Sequence, residues 1–417
     1  MSQSLPDTHA ECGCRDFTTT RRAALALGAG AVTAMVGDVL THTVYGAQPR
    51  GNVLVVLSLR GGADGLSLVV PHAEKAYYAA RPTTAVPKDR LLHTDATFGL
   101  HPALAPLGPL WAKKRLAAVH AVGLPAPNRS HFEAMEVLED ADPGSDARVG
   151  WLNRFVGQLR GDSVLEGVQV GSNVVPTSLV GPRPTVALES PSSISTPFAG
   201  SDRGDAVARG LAQMYGDGRS RVHRAGREAL ELARLGGRYS EAAALPPQHS
   251  ASYPGSALGT SLRRTAALIR AGVGVRAVAV DSGSWDHHEN LRGNLTARAG
   301  DLAGSLAAFF TDLGPDWRRV TVVTLSEFGR RLPENGAAGV DHGYGNAVLV
   351  AGGGVRGGRY HARWPTLRDG RLESGDLTVT TDYRHLLMEV LQTRFPGVDA
   401  HRVFPQAGYR RRLGVMR

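Results

Sequence analysis

Short unbroken apolar runs alternate along this chain with longer stretches in which apolar residues return every third or fourth position. "NVLVVLSL" (52 to 59) is such a run, and its Val and Leu content predicts a strand buried on both faces. "RGGADG" interrupts it. "RLAAVHAVGL" (115 to 124) predicts a second strand, and "NRSHFEAMEVLEDA" (128 to 141) switches to helical spacing through Phe132, Met135 and Leu138. Residues 205 to 245, rich in Ala, Arg, Glu and Leu, predict one or two exposed helices followed by a linker-like loop. The alternation then resumes. A helix at "SLRRTAALIRAG" leads to a strand at "VRAVAVDSG", a helix at "NLTARAGDLAGSLAAFFTDLG", and strands at "RVTVVTLSEFG" and "NAVLVAGGG". Strands alternating with helices of this length predict an α/β fold, a doubly wound and mostly parallel sheet flanked by helices.

In such sheets ligands bind beyond the carboxyl ends of the strands, and the unusual polar residues cluster there. Asp64 follows the first strand, and Ser130 opens the helix after the second. Asp286 and His288 follow the third within "SGSWDHHEN", Glu327 ends the fourth, and Asp341 with His342 precede the last. Carboxylate oxygens and imidazole nitrogens suit divalent metals, zinc first, with manganese, calcium or magnesium as further candidates. Asp64, Asp286, His288, Asp341 and His342 can supply one metal site or two neighbouring ones. Ser130 carries two readings. "Ser130-His131-Phe132-Glu133" fits a capping box, while a serine at a helix N-terminus beside a metal is also placed to attack an ester. Arg60 and Arg129 can add charge-assisted contacts to a phosphate or sulfate, although surface solvation is the favoured role for either taken alone. "AGGGVRGG" lacks the lysine-bearing phosphate-loop arrangement and reads as a turn.

Composition narrows the choices. Of 417 residues, 42% are hydrophobic and 20% charged, a globular profile with no later segment long and apolar enough for a permanent membrane span. The formal charge of +9 rests almost wholly on scattered arginines without aromatic interleaving, so a nucleic-acid partner is not expected. Cys12 and Cys14 both precede the folded region, which leaves any metal to histidine and carboxylate. Arg21 and Arg22 stand before a weakly apolar Ala/Gly-rich run ending near Ala47, the pattern of a twin-arginine export signal. The expectation is a signal peptide over 1–47, passage through the twin-arginine translocase, and a periplasmic or extracellular destination.

"LRGGADGLSLVVP", "FGLHPALAPL", "NRSHFEAMEVLED", "GWLNRF", "SWDHHEN", "VVTLSEFGRR", "DHGYGNAVLVAGGGVRGG" and "TTDYRHLLMEVL" follow one another in order over most of the chain. In these segments the sequence resembles the twin-arginine-exported bacterial proteins grouped as domain-of-unknown-function family 1501, within the alkaline phosphatase-like superfamily. The resemblance implies an alkaline phosphatase/sulfatase-like domain over 48–417, with a helical or irregular insertion at about 150–260. It makes Asp64 the first-strand metal ligand, Ser130 the nucleophile, and Asp286 with His288 and Asp341 with His342 two ligand pairs. Glu327 binds metal or orients a ligand, and His288 is preferred over His287. Asp286 and His288 lie two apart where the superfamily often has four, and its last histidine has His385 and His361 as candidates. The function expected is an exported metal-dependent hydrolase of phosphate or sulfate esters with a serine nucleophile. The alternative is a non-catalytic exported binding or surface-assembly protein retaining the fold.

Overall fold

The computed structural model describes residues 51–142, 144–145, 147–159, 161, 163–194, 202–216, 218–408 and 411–417. The expected export signal, with Arg21, Arg22, Cys12 and Cys14, lies outside the described residues. The strands in chain order are β1 (Val53–Leu59), β2 (Val69–Val70), β3 (Gly99–Leu100), β4 (Leu116–Gly123), β5 (Gly167–Val170), β6 (Val186–Leu188), β7 (Ala277–Ser282), β8 (Val320–Leu325), β9 (Asn346–Gly352), β10 (Arg359–His361) and β11 (Thr381–Asp382). Nine of them form one sheet in the order β10-β4-β9-β8-β1-β7-β5-β6, with β11 also pairing with β4. Every pairing is parallel except those of β9 with β4 and β8. The fold is α/β, with the mostly parallel, helix-flanked sheet that the periodicity predicts.

The central strand shows why its sequence is apolar without alternation. Val53, Val55, Leu57 and Leu59 point into one core with the helices Ala257–Arg270 and Leu291–Asp312, while Leu54 and Val56 enter a second core with Trp151–Gly157 and Tyr383–Arg394. A strand covered on both sides needs apolar residues at every position. Residues 150–260 differ from a purely helical or irregular insertion. They contribute β5 and β6, which extend the main sheet beyond β7, as well as the helices Asp202–Tyr215 and Arg221–Ala244. "GVQV" is too short and too mixed to announce a buried strand; pairing along β7 defines it. Among the described residues no helix is long and apolar enough to cross a membrane.

β1, β4, β7 and β8 run in one direction, so their carboxyl ends share one edge. β9 runs the other way, and the residues that precede it arrive at that same edge. The reversal brings Asp341 and His342, from before a strand, to residues that follow other strands.

Candidate metal centre

The loop "SGSWDHHEN" is fastened from below. Trp285 is fully buried and its indole N–H donates to Ser282 Oγ at 3.1 Å, while its backbone N–H donates to Arg60 O at 3.2 Å. His287 is buried too, with Nε2 donating to Ser284 O at 3.0 Å, and its carbonyl accepts from Val340 N. Trp285 and His287 thus anchor the loop, and Asp286 and His288 are left half exposed. Ser284 sits at φ 65°, an uncommon conformation for a residue with a side chain that the surrounding contacts must hold. Gly61, after β1, is required by closeness and conformation together: its φ is 113° and a Cβ there would lie 2.7 Å from Asp286 N.

Three imidazoles meet above this floor. His131 Nε2 lies 3.0 Å from His342 Nε2, His288 Nε2 lies 2.9 Å from His342 Nε2, and Asp286 Oδ1 is 3.1 Å from His288 Nε2 and 3.4 Å from His342 Nε2. Asp286 Oδ2 faces His131 Nε2 at 3.5 Å. The opposite nitrogen of each ring meets an acceptor. His342 Nδ1 donates to Arg129 O at 2.8 Å, His131 Nδ1 to Glu327 Oε1 at 2.8 Å, and His288 Nδ1 to Asp341 Oδ1 at 2.9 Å. An acceptor at Nδ1 places the proton of a neutral imidazole there and leaves Nε2 with a bare lone pair. Three lone pairs and a carboxylate therefore face one another. A proton can bridge one such pair, whereas a cation among them satisfies several. Tetrahedral ligands at roughly 2.0–2.1 Å from zinc would stand about 3.3 Å apart, close to the separations here. His131, Asp286 and His342 have ligand atoms that all lie within 4.8 Å of one another.

The outer contacts hold these rings in place. Glu327 is buried and also accepts from Gly61 N at 2.8 Å, and Asp341 Oδ1 also accepts from Asn335 Nδ2 at 3.0 Å. Carboxylates behind the ligating histidines fix the tautomer and raise ring basicity. Arg330, buried, donates to Gly62 O, Val340 O and Gly61 O and to Asp286 Oδ1 at 2.5 Å, tying three loops together. Partial burial alone would raise the Asp286 pKa; the bond and charge of Arg330, then His288 and His131, outweigh it and hold the carboxyl below its usual range. Burial is the main cause that lowers the His342 pKa, a direction that favours the neutral ring a metal ligand requires.

The expected residues divide. Asp286, His288, Glu327, Asp341 and His342 come together, Glu327 and Asp341 as orienting groups behind histidines. His131 joins them although the sequence marks it only as a position inside the capping box; a histidine in the first helical turn beyond a strand is the available signal. Asp64 stands apart, buried and paired with buried Arg81, which also donates to Ser67 Oγ, Leu332 O and Arg331 O. Ser130 caps its helix, its hydroxyl accepting from Glu133 N at 3.5 Å. Arg60 is paired with Asp281 and Glu139, and Arg129 with Asp376. His361 and His385 line a different cavity, bounded by β10, β11 and the C-terminal segment.

The sequence model of the family described as "Protein of unknown function (DUF1501)" matches residues 91–405. The chain belongs to the DUF1501 family. No curated protein matches it. The DUF1501 match contains His131, Asp286, His288, Glu327, Arg330, Asp341 and His342, so the convergent cluster lies within the family region, whereas Asp64 and Arg81 precede it.

Proposed function

We propose that this protein is an exported, metal-dependent hydrolase of phosphate or sulfate esters, built around a divalent metal held by His131, Asp286 and His342 with His288 beside them. The observation that carries the reading is the convergence of three Nε2 lone pairs on the Asp286 carboxylate, each ring tied at Nδ1. The donor set of imidazole and carboxylate favours zinc. When bound, such a cation polarises a phosphoryl or sulfuryl oxygen and stabilises the charge that builds on it. The chain supplies the rest. A cavity of about 460 Å³ opens beside His131 and Asp286, with exposed Phe132 and half-buried Met135 on one wall, and offers room for the esterified group. Ser130 stands at the N-terminus of the helix His131–Asp140, whose first-turn amides can receive an anionic oxygen. In this reading Ser130 Oγ loses its proton to solvent and bonds to phosphorus or sulfur as the ester's bridging oxygen departs with the electron pair and takes a proton from solvent. Water then cleaves the seryl ester, releasing phosphate or sulfate and restoring the hydroxyl.

A second reading is a non-catalytic exported binding or surface-assembly protein in which the metal stabilises the fold. The capping bond of Ser130 and the sealed Asp64–Arg81 pair favour it, since both side chains already have structural employment. Elemental analysis of purified protein, with His131→Ala and His342→Ala variants, tests the centre; about one divalent metal per chain, lost in both variants, is the expected result, and its absence in the parent chain refutes both readings of the metal. Assays of the metal-loaded protein and Ser130→Ala on aryl phosphate, phosphodiester and aryl sulfate then separate the functions. Turnover abolished by chelator supports the hydrolase, metal without turnover supports the binding protein, and turnover that survives Ser130→Ala removes the serine from the chemistry.

A further inference from the structure

On the outer side of β4 the sheet edge is covered by two separate short strands. β10 pairs with Ala117 to Val119 and β11 with Val122 and Gly123, so the covering chain parts between them. A cavity of about 740 Å³ lies at that parting, lined by His361, Arg363, Thr380 and His385 and closed by Arg411 and Arg412 of the C-terminal segment. None of its lining residues, among those described, is acidic. Arg363, Arg411 and Arg412 are exposed, and among the described residues none of the three has an ion pair or hydrogen bond. The Thr380 hydroxyl is enclosed and has no partner, while the Thr380 backbone N–H donates to Ala121 O at 3.0 Å and so fixes the residue on β4.

The segment that carries the two C-terminal arginines is itself held. Glu389, fully buried, accepts from the backbone N–H groups of Leu413, Gly414 and Met416, so its charge is spent on the chain and not on the arginines. His361 Nε2 and His385 Nε2 donate to the carbonyls of Arg356 and Ala407 and are likewise fixed. Three guanidinium groups of one sign around one concavity repel each other and raise local anion concentration. A hydroxyl without a partner inside such a wall is a donor awaiting an acceptor.

We propose that this cavity binds a small oligoanion carrying two or more phosphate groups, with Arg363, Arg411 and Arg412 contacting separate phosphates and Thr380 donating to one of them. Guanidinium forks match phosphate oxygens in pairs, and the volume accommodates a chain of phosphates better than a single ion. The site is independent of the candidate metal centre: its residues are different, and two of its arginines lie beyond the family match.

Calorimetric titration of the full chain, kept metal-free with chelator, tests this with tripolyphosphate as probe and orthophosphate, sulfate and citrate as comparison arms. The expected result is one tripolyphosphate per chain, weakened by added salt, with orthophosphate and sulfate at least tenfold weaker. Each guanidinium lost should weaken binding about tenfold, and Arg411→Gln/Arg412→Gln about a hundredfold. Thr380→Val should lower affinity while the circular dichroism spectrum stays unchanged, and His131→Ala should have no effect. Absence of binding at millimolar tripolyphosphate overturns the proposal. So does binding that persists in the double arginine variant or disappears in His131→Ala, and citrate binding as tight as tripolyphosphate overturns the phosphate assignment.

Discussion

Asp64 and Asp286 each follow one of two neighbouring central strands, β1 and β7, and each is held by an arginine, yet the structure puts them to different uses. Asp64 is 1% exposed and Arg81 0%, with the guanidinium further engaged by one hydroxyl and two carbonyls. Asp286 is contacted by an equally buried arginine, but its side chain is 43% exposed and its second oxygen faces His131. A carboxylate after a strand becomes an available ligand when one oxygen is left over. When both oxygens are taken inside a dry core, it becomes part of the scaffold.

The contrast predicts its own tests. Arg81→Leu leaves the Asp64 charge buried and unpaired and should cost about 3–5 kcal/mol of stability, read by chemical denaturation. Metal content per folded molecule should not change; a selective loss of metal would move Asp64 into the centre. Histidines extend the comparison. Burial pushes the His120 pKa down from 6.5 to about 4, with Nε2 donating to Val69 O. A depressed folded-state pKa means that only the unfolded chain gains a proton as pH falls from 6.5. Stability from His120 is therefore complete above pH 6.5, declines toward pH 4 and levels off below, by on the order of 3 kcal/mol. Thermal melts across that window check the decline, and His120→Asn should make it shallower, with His101, also pushed down to about 4 by burial, keeping part of it. Acid should also strip metal from the candidate centre, because protons compete with the cation for the ligating nitrogens; metal content measured against pH checks this.

Glu327→Gln weakens the acceptor behind His131 and should lower metal affinity about 10–100-fold, measured by competition with a chromophoric chelator. A denaturation midpoint that falls sharply with metal affinity unchanged would make Glu327 a scaffold group like Asp64. Smallest is Ser130→Ala, which removes a helix cap and should cost about 1 kcal/mol. Any larger effect on ester turnover than on stability belongs to chemistry.

Much of the scaffold was legible because burial on both faces leaves a mark that short-range pattern can carry. β1, β4, β7, β8 and β9 each lie within an apolar run, and "SGSWDHHEN" announced itself by its density of ligating residue types. Inside that loop the structure turns Trp285 and His287 inward and leaves Asp286 and His288 outward, a division that the residue types alone do not announce. His131 was hidden by the capping box that surrounds it, a pattern that explains Ser130 and Glu133 and leaves the intervening residue without a role. Arg81 and Arg330 were hidden because arginine is usually exposed, and nothing near either marks a buried one.

The order of the central strands and the helices between them, the apolar character of those strands and the set of residues able to ligate are local properties of this sequence. They follow from backbone preference and side-chain chemistry acting over a few residues. Which aspartate is sealed and which remains open, the reversal of β9 that brings His342 to His131, and the meeting of three Nε2 atoms depend on contacts across 17 to 213 positions of chain. Only the folded sheet brings such positions together, because desolvation and lone-pair repulsion depend on neighbours in space.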